Sequence, residues 1–290
     1  MKRDFLTVRD LSKDELKRLI DRALEMKKGV NNKKSLEGKS IGLLFRKPST
    51  RTRVSFEVST YQLGGQSIYL NPSEMQLSRG ESTKDTAKVL SRYLHGIVIR
   101  TYAHREVEDF ARYASIPVIN GLTDLHHPCQ ALADLLTIKE HFNRMEGLRL
   151  AYIGDGNNVV NSLIEAASMT GMNIVIACPE GYEPIEKASN VVIVREPKEA
   201  AKGADILYTD VWISMGDEEK EEKVSKFKGF QINKEVLSVA KEDAIVLHCL
   251  PAHIGQEITE DVLYGERSRV FEEAENRLHA QKALLEMLIM

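Results

Sequence analysis

The feature that most constrains this chain of 290 residues is an alternation of short apolar runs with helical patterns, which occurs twice. Runs such as SIGLLF (40–45) and NIVIA (173–177) have strand length, and capped stretches of helical spacing separate them. Strands that are apolar on both faces are typical of parallel sheets covered by helices. The sequence therefore predicts an α/β fold with two domains. Each is a parallel sheet flanked by helices in a Rossmann-like arrangement, and long interdomain helices join the two.

The domain boundary is placed where the alternation restarts, before the run LRLAYIG (148–154). A chain of this length is long for one hydrophobic core and comfortable for two. We expect a first domain over residues 1–136, with the C-terminal helix 272–290 packing back on it. A second domain is expected over residues 137–271.

Three local patterns give more detailed predictions. Ser12 and Glu15 have the spacing of a capping box at the start of the first helix. A helix is expected to open at Ser82 and to continue to about Leu94. The charged run GDEEKEEKVSKFK (216–228) is interpreted as a solvated loop.

Composition and charge narrow the class of protein. The net charge of −3 gives no indication of a nucleic-acid partner, and no apolar run approaches the roughly 18–20 residues that cross a bilayer. Three single cysteines (Cys129, Cys178 and Cys249) favour a reducing compartment over a disulfide framework. The first residues, MKRDFLTVRD, are polar and charged and do not resemble a signal peptide. A cytoplasmic protein is expected.

Polar side chains collect where the predicted strands end, which is the edge of a parallel sheet where ligands bind. In the first domain they are Ser49, Thr50, Arg51, Thr52, Arg100, His127 and Gln130. In the second they are Asn157, Asn158, Asp210, Ser214, His248 and Cys249.

The stretch FRKPSTRTRVSFE (45–57) predicts a phosphate site. Its hydroxyls and guanidinium groups lie where a strand turns into a helix, so the helix N-terminus already favours an anion. Arg51 can bind phosphate oxygens in a bidentate way. The alternative is a set of capping hydroxyls with surface arginines. The glycine-rich Gly-Lys-Ser/Thr loop of ATP-hydrolysing proteins is missing.

Two further residues of the first domain suggest carbonyl chemistry. Arg100 ends an apolar strand, where a charge is costly unless a ligand or a salt bridge compensates it. His127 precedes a proline at a helix start, where the dipole disfavours protonation, so a neutral imidazole could donate to a carbonyl oxygen. A structural salt bridge and a packed histidine are the alternatives.

Two other chemistries remain open. A zinc site is conceivable, although its candidate ligands lack a standard spacing; they are His126, His127, Cys129, His248, Cys249 and His253. In YIGDGNNVV, Gly154 and Gly156 match part of the dinucleotide fingerprint, but Val159 stands at the third glycine. An NAD-dependent dehydrogenase is therefore an alternative. A dehydrogenase would leave the residues of the STRTR motif without a role.

Four motifs, STRTR, HPCQ, DVWISMG and HCLP, occur in an order and at separations that resemble the aspartate/ornithine carbamoyltransferases. The resemblance runs from FRKPSTRTRVSFE to ENRLHAQKALL. The first and second motifs are shared with the aspartate-specific relatives and imply carbamoyl phosphate as a substrate. DVWISMG is similar to the signature of the ornithine-specific relatives and implies L-ornithine as the second substrate.

The resemblance implies a role for each matching residue. Arg51, Arg100, His127 and Cys249 would be catalytic. Carbamoyl phosphate would contact Ser49, Thr50, Arg51, Thr52, Gln76, Arg100, His127, Gln130, Cys249, Leu250 and Arg277. Ornithine would contact Asn158, Asp210, Ser214 and Met215. The first domain would then be the carbamoyl-phosphate-binding domain and the second the ornithine-binding domain.

The implied reaction gives citrulline and phosphate, with no cofactor and no metal. It belongs to arginine biosynthesis or, in reverse, to the arginine deiminase pathway. The resemblance also implies a homotrimer, or a multiple of trimers, without nucleic-acid or membrane partners. A carbamoyltransferase for N-acetylornithine or putrescine and a regulator that binds a phosphometabolite remain alternatives. The chain departs from many relatives at Arg46 and Ile254, where subunit or interdomain contacts are expected to differ.

Overall fold

Parallel β-strands form the centre of two structural units in the computed structural model, which describes residues 2–31, 33–213 and 220–289. Unit 1 comprises Met1–Leu136 and Glu275–Met290, and unit 2 comprises Thr137–Ala274. The chain passes from one unit to the other within two helices, α5 (Pro128–Phe142) and α11 (Val270–Ile289).

The sheet of unit 1 has four parallel strands in the order β2-β1-β3-β4. They are β1 (Ser40–Phe45), β2 (Gln66–Leu70), β3 (Gly96–Arg100) and β4 (Val118–Leu122). Every residue of β3 is buried, whereas the edge strand β2 is largely exposed, so the continuous apolar pattern belongs to the central strands. Phe5 pairs with Ile119 beside β4 and brings the N-terminus onto the sheet.

The helices that cover this sheet begin mostly at side-chain caps. They are α1 (Lys13–Lys27), α2 (Thr50–Gln62), α3 (Thr83–Leu90), α4 (His104–Tyr113) and the first part of α5. Ser12, Ser49 and Ser82 each accept a hydrogen bond from the backbone N–H three residues later. Two short 3-10 helices, Pro72–Glu74 and Gln76–Arg79, lie between β2 and α3.

The sheet of unit 2 has five parallel strands in the order β7-β6-β5-β8-β9. They are β5 (Arg149–Ile153), β6 (Asn173–Ala177), β7 (Val191–Val194), β8 (Ile206–Thr209) and β9 (Ile245–His248). The helices of this unit are α6 (Asn158–Thr170), α7 (Pro197–Ala201), α8 (Lys220–Lys226), α9 (Lys234–Leu237) and α10 (Glu260–Leu263).

The predicted α/β fold, with its two parallel sheets flanked by helices, is confirmed. Two local predictions were wrong. The helix that opens at Ser82 ends at Leu90 instead of Leu94, because the N–H groups of Arg92 and Tyr93 bond three residues back and tighten the last turn. Part of the expected solvated loop forms α8, where Lys223 binds Asp155 at 2.7 Å. Among the described residues, no helix combines the length and apolar character that a membrane span needs.

The predicted capping box at the start of α1 is confirmed. Ser12 Oγ accepts the Glu15 N–H at 3.3 Å, and the Glu15 carboxylate accepts the Ser12 N–H at 2.9 Å. The Ser12 N–H, together with the guanidinium of Arg3, lowers the pKa of Glu15 to about 2. Both bonds satisfy backbone donors that the first turn of a helix leaves open.

Replacing Ser12 with alanine is expected to lower the free energy of unfolding by about 1 kcal/mol, because the Glu15 N–H loses its acceptor. Ser12→Thr keeps the hydroxyl and is the matched control, with a loss of only a few tenths of that amount. Chemical denaturation at pH 7 measures both variants. Equal stability of Ser12→Ala and the wild type would contradict this account.

Candidate active site

The order of the strands brings particular loops together. In unit 1, β1 and β3 are neighbours, and the chain leaves them toward opposite sides of the sheet. The same holds for β5 and β8 in unit 2. At such a switch point the loops after the two strands diverge and leave a crevice at the carboxyl edge. Ser49–Thr52 and Arg100 follow the first pair, and Asn157 and Asp210 follow the second.

The N-terminus of α2 presents the STRTR residues. Ser49 has extended backbone angles (φ −163°, ψ 120°), and its Oγ accepts the Thr52 N–H at 3.1 Å. Thr50 is exposed, Arg51 is half-buried and Thr52 is buried. Backbone N–H groups of the first turn and the positive end of the helix dipole lie beside these side chains, which suits an anion.

Arg277, itself a predicted ligand, bonds to two others within unit 1. Its Nη1 donates to Gln130 Oε1 at 2.7 Å, and its Nη2 donates to Thr52 Oγ1 at 3.0 Å. Gln130 in turn donates to Asp134 Oδ1 at 2.8 Å, one turn further along α5. These bonds fix the buried guanidinium and align the amide of Gln130 with the hydroxyl of Thr52.

His127 lies immediately before α5 and is buried. Burial first, and then the positive charges of Arg277, Arg100 and Arg51, hold the pKa of His127 well below its ordinary value. The imidazole is therefore neutral at physiological pH and can donate a hydrogen bond without carrying charge. The three guanidinium groups around it form a cationic cluster that an anionic ligand would compensate.

Lys47 was missed in the sequence analysis, although it precedes STRTR by two residues. It is 4% exposed, its Nζ pairs with Asp124, and the same Nζ lies 4.5 Å from the centre of the Tyr102 ring. Lys47 follows β1, Tyr102 follows β3 and Asp124 follows β4, so one buried ammonium group ties together three of the loops at this edge. Nothing in the local sequence marks this lysine as buried.

A second polar cluster lies at the carboxyl edge of unit 2. Asn157 caps α6, its Nδ2 donates to Asp210 Oδ2 at 2.8 Å, and its Oδ1 accepts the Tyr152 hydroxyl at 3.3 Å. The thiol of Cys249 donates to Asp210 Oδ1 at 3.0 Å. Asp210 is thus oriented through both carboxylate oxygens. Asn158 was the predicted ligand, whereas this orienting role of its neighbour Asn157 was not predicted from the sequence.

The remaining predicted ligands of unit 2 are Asn158, Leu250, Ser214 and Met215. Asn158 is the first residue of α6 and is half-buried. Leu250 has a left-handed backbone (φ 54°), with its N–H directed at the His248 ring. Ser214 and Met215 lie outside the described residues.

In unit 1, Gln76 is exposed on its 3-10 helix, and within the described part of the chain its side chain makes no hydrogen bond to the other predicted ligands.

The glycines of YIGDGNNVV have a structural explanation. A Cβ on Gly156 would lie 2.4 Å from backbone atoms of Glu183 and Pro184, and the Gly156 N–H donates to the Tyr182 carbonyl at 2.9 Å. The close approach that the dinucleotide fingerprint reserves for a pyrophosphate is used here by the protein's own chain. Val159 is buried at the third position. The geometry therefore does not support the dehydrogenase alternative.

A metal could be considered at Asp210, His248 and Cys249, whose potential ligand atoms lie within 4.8 Å of one another. Both nitrogens of His248 are already engaged, one by the Leu250 N–H and one by Glu257, and the thiol of Cys249 is bonded to Asp210. This internal network fits a hydrogen-bonded cluster better than a zinc site. Of the six residues in the zinc hypothesis, the group contains His248 and Cys249.

The two departures noted in the sequence lie on the surface. Arg46 pairs with Glu106 at 3.3 Å, and both side chains are partly exposed. The side chain of Ile254 is about half exposed, at 48%. Through its backbone, Arg46 also contacts a candidate ligand, because its N–H donates to the Arg100 carbonyl at 2.8 Å.

Comparison with known proteins gives matches along the whole chain. The carbamoyl-P binding domain of the family Aspartate/ornithine carbamoyltransferase matches residues 3–140, and the Asp/Orn binding domain of that family matches residues 146–288. The chain is similar to ornithine carbamoyltransferase of Methanosarcina mazei, with 54% identity over 98% of each chain.

Solved structures give the same result. The crystal structure of ornithine carbamoyltransferase from Thermus thermophilus has a TM-score of 0.94 at 45% identity and covers 100% of both chains. The structure of the enzyme of the same name from Pyrococcus furiosus has a TM-score of 0.94 at 47% identity, covering 99% of this chain and 97% of that one. The similarity therefore extends over both units.

Replacing Lys47 with methionine should weaken both the fold of unit 1 and its affinity for anions. The change removes a charge-assisted bond to the exposed Asp124, so we expect a loss of about 1–2 kcal/mol in the free energy of unfolding. Binding of inorganic phosphate, measured by calorimetry, should weaken several-fold. Arg46→Met, which removes an exposed charge from the same loop, is the matched control. Phosphate binding unchanged in Lys47→Met would contradict the prediction.

Acidification should destabilise the protein through its buried histidines. Burial lowers the pKa of His126 to about 4, and that of His127 lies well below 6.5. The unfolded chain therefore binds protons at these residues near pH 6.5 while the folded chain does not, so stability falls as pH decreases from about 6.5 toward 4. His126→Asn should flatten the measured stability-pH curve by up to about 1.4 kcal/mol per pH unit. Parallel curves for variant and wild type would refute this assignment.

Proposed function

Because the chain belongs to the aspartate/ornithine carbamoyltransferase family, we propose that it transfers the carbamoyl group of carbamoyl phosphate to the δ-amine of L-ornithine. The products are L-citrulline and phosphate. The observation that carries the proposal is the cluster of Arg51, Arg100 and Arg277 around the neutral His127, beside the N-terminus of α2.

Unit 1 holds carbamoyl phosphate in this proposal. The phosphate oxygens bind the backbone N–H groups and hydroxyls of Ser49–Thr52 and the guanidinium of Arg51. Arg100 and His127, with Thr52, polarise the carbonyl, and Gln130 binds the carbamoyl amide. Two contacts support this assignment: the bonds from Arg277 fix Thr52 and Gln130 in place before any ligand arrives. Gln76 completes the set from its exposed loop, as a ligand for carbamoyl phosphate in a neighbouring subunit.

Unit 2 holds ornithine. Asp210 receives the α-amino group, and Asn158, Ser214 and the Met215 N–H bind the amino-acid end together with it. Cys249 and the Leu250 carbonyl face the reacting δ-amine. In this proposal the same two residues also contact carbamoyl phosphate. The orientation of Asp210 by Asn157 and Cys249 supports this assignment, because a carboxylate fixed through both oxygens is prepared for an ammonium group.

The chemistry requires a neutral amine and a stabilised oxyanion. The nitrogen lone pair attacks the carbonyl carbon, and negative charge develops on the carbonyl oxygen. The C–O bond to phosphate then breaks, and the proton of the amine passes to the departing phosphate. Arg100 and the neutral His127 donate to the oxyanion, and Arg51 stabilises the leaving phosphate. Orientation and electrostatic stabilisation supply the rate, without a covalent intermediate and with no need of a cofactor.

The biological setting follows from the same proposal. Citrulline formation places the enzyme in arginine biosynthesis, and the reverse reaction would serve arginine breakdown. The three cysteines remain thiols, which supports a cytoplasmic location. The family resemblance supports a homotrimer or a multiple of trimers. Light scattering of the purified protein measures the assembly directly.

The proposal is tested by measuring citrulline formation, with ornithine, aspartate, putrescine and N-acetylornithine compared side by side. We expect activity with ornithine alone, and a fall of about 10²–10⁴-fold in Arg51→Ala, because the leaving phosphate loses its bidentate partner. Arg105→Ala is the matched control, since that arginine is exposed on α4 of the same unit.

Other outcomes would revise specific parts of the proposal. Activity with another amine would keep the phosphate site and overturn the assignment of unit 2. Binding of carbamoyl phosphate without turnover of any amine would make the protein a phosphometabolite-binding regulator. Full activity in Arg51→Ala would remove the basis for the anion site.

A further inference from the structure

The loop after β9 contains a backbone conformation that must be held in place. Leu250 has φ 54°, in the left-handed region that residues with a Cβ rarely adopt. It follows Cys249 directly, so its conformation determines where both the Leu250 carbonyl and the Cys249 thiol point. Such a conformation persists only where surrounding contacts hold it.

The contact that holds it is the imidazole of His248. The Leu250 N–H donates to His248 Nδ1 at 2.9 Å, so Nδ1 carries no proton. The proton of the ring therefore lies on Nε2, which donates to Glu257 Oε1 at 3.0 Å. Both His248 and Glu257 are 0% exposed. Glu257 thus selects the tautomer that can accept the Leu250 N–H.

Other bonds within unit 2 fix the histidine and the glutamate in turn. The His248 backbone N–H donates to Glu273 Oε2 at 2.9 Å, and Glu273 Oε1 accepts the Tyr208 hydroxyl at 3.2 Å. Glu257 Oε1 also accepts the His253 N–H at 2.6 Å. The ring is therefore held from its backbone and from both of its nitrogens. With both nitrogens engaged and the side chain buried, His248 is not placed to act as a base.

We propose that Glu257 and His248 are positioning residues for the amine substrate. Glu257 fixes the tautomer of His248, His248 holds Leu250 in its left-handed conformation, and this aims the Leu250 carbonyl and the Cys249 thiol at the reacting amine. The bond from Cys249 Sγ to Asp210 Oδ1 depends on the same alignment. A buried carboxylate and imidazole cost more than apolar residues of equal volume, so a purely structural loop would not need them. The proposal rests on the proposed function.

Two substitutions of His248 separate the positioning role from simple loss of packing. An asparagine places its amide oxygen close to the position of Nδ1 and can still accept the Leu250 N–H. A glutamine reaches the position of Nε2 and can bond to Glu257, but it leaves Leu250 without an acceptor. We expect His248→Asn to keep the KM for ornithine within about threefold, and His248→Gln to raise it about tenfold or more. The KM for carbamoyl phosphate, which contacts the same loop in the proposed function, should also rise in His248→Gln and stay within about threefold in His248→Asn.

A second pair of variants tests Glu257. Glu257→Gln retains an acceptor oxygen for His248 and should behave nearly as the wild type. Glu257→Leu removes it, frees the choice of tautomer and should resemble His248→Gln. Equal losses in His248→Asn and His248→Gln, or no loss in either His248→Gln or Glu257→Leu, would overturn the proposal.

Two measurements do not depend on turnover. Alkylation of the half-buried Cys249 by iodoacetamide, followed by peptide mass spectrometry, should change rate in His248→Gln and not in His248→Asn, with the buried Cys129 and Cys178 as internal references. Nitrogen NMR of the ¹⁵N-histidine-labelled wild type should show the His248 proton on Nε2. A proton on Nδ1 would overturn the proposal even if no variant folds. If the wild type forms no citrulline while these two results hold, the proposed function fails and the positioning network stands.

Discussion

Every strand pairing in both sheets is parallel, and the rest of the structure depends on that constraint. Parallel strands need crossover connections, so helices cover both faces and the central strands are buried beyond their first residues. Polar side chains are then excluded from the strand interiors and appear where the strands end. The strand orders place the loops after β1 and β3, and those after β5 and β8, at the switch points. The polar clusters of each unit lie there.

Buried polar groups are stabilised in different ways in the two units. In unit 1, arginine charges collect around one histidine, and its lowered pKa keeps a further positive charge out of the cluster. An anion is the natural complement of that arrangement. In unit 2, the groups are mutually satisfied: Asn157 and Cys249 orient Asp210, while Glu257 and His248 hold the backbone of Leu250. The arginine cluster of unit 1 attracts a ligand by its charge. The hydrogen-bonded cluster of unit 2 holds its side chains in fixed positions where a ligand can bind.

The candidate ligands could be predicted because they occur in short contiguous motifs. STRTR indicated the start of α2, which Ser49 caps, and HPCQ indicated the start of α5. The bond between Gln130 and Arg277 was not predicted. The residues that were missed act through side chains distant in sequence. Lys47 contacts Asp124, 77 residues away, and Asn157 contacts Asp210, 53 residues away. Nothing local distinguishes a buried lysine from an exposed one, or an orienting asparagine from its neighbour.

The sequence by itself determined the fold class and the chemistry of the motifs, because hydrophobic periodicity and capping are local properties. The tertiary structure decided which motif residues contact one another. It also decided the structural roles of Gly156 and His248. Gly156 has no side chain because the backbone at 183–184 passes within 2.4 Å of where a Cβ would lie, not because a dinucleotide does. His248 is a buried support because Glu257 and Leu250 occupy both of its nitrogens. Such assignments depend on distances and directions in the folded chain, which periodicity does not encode.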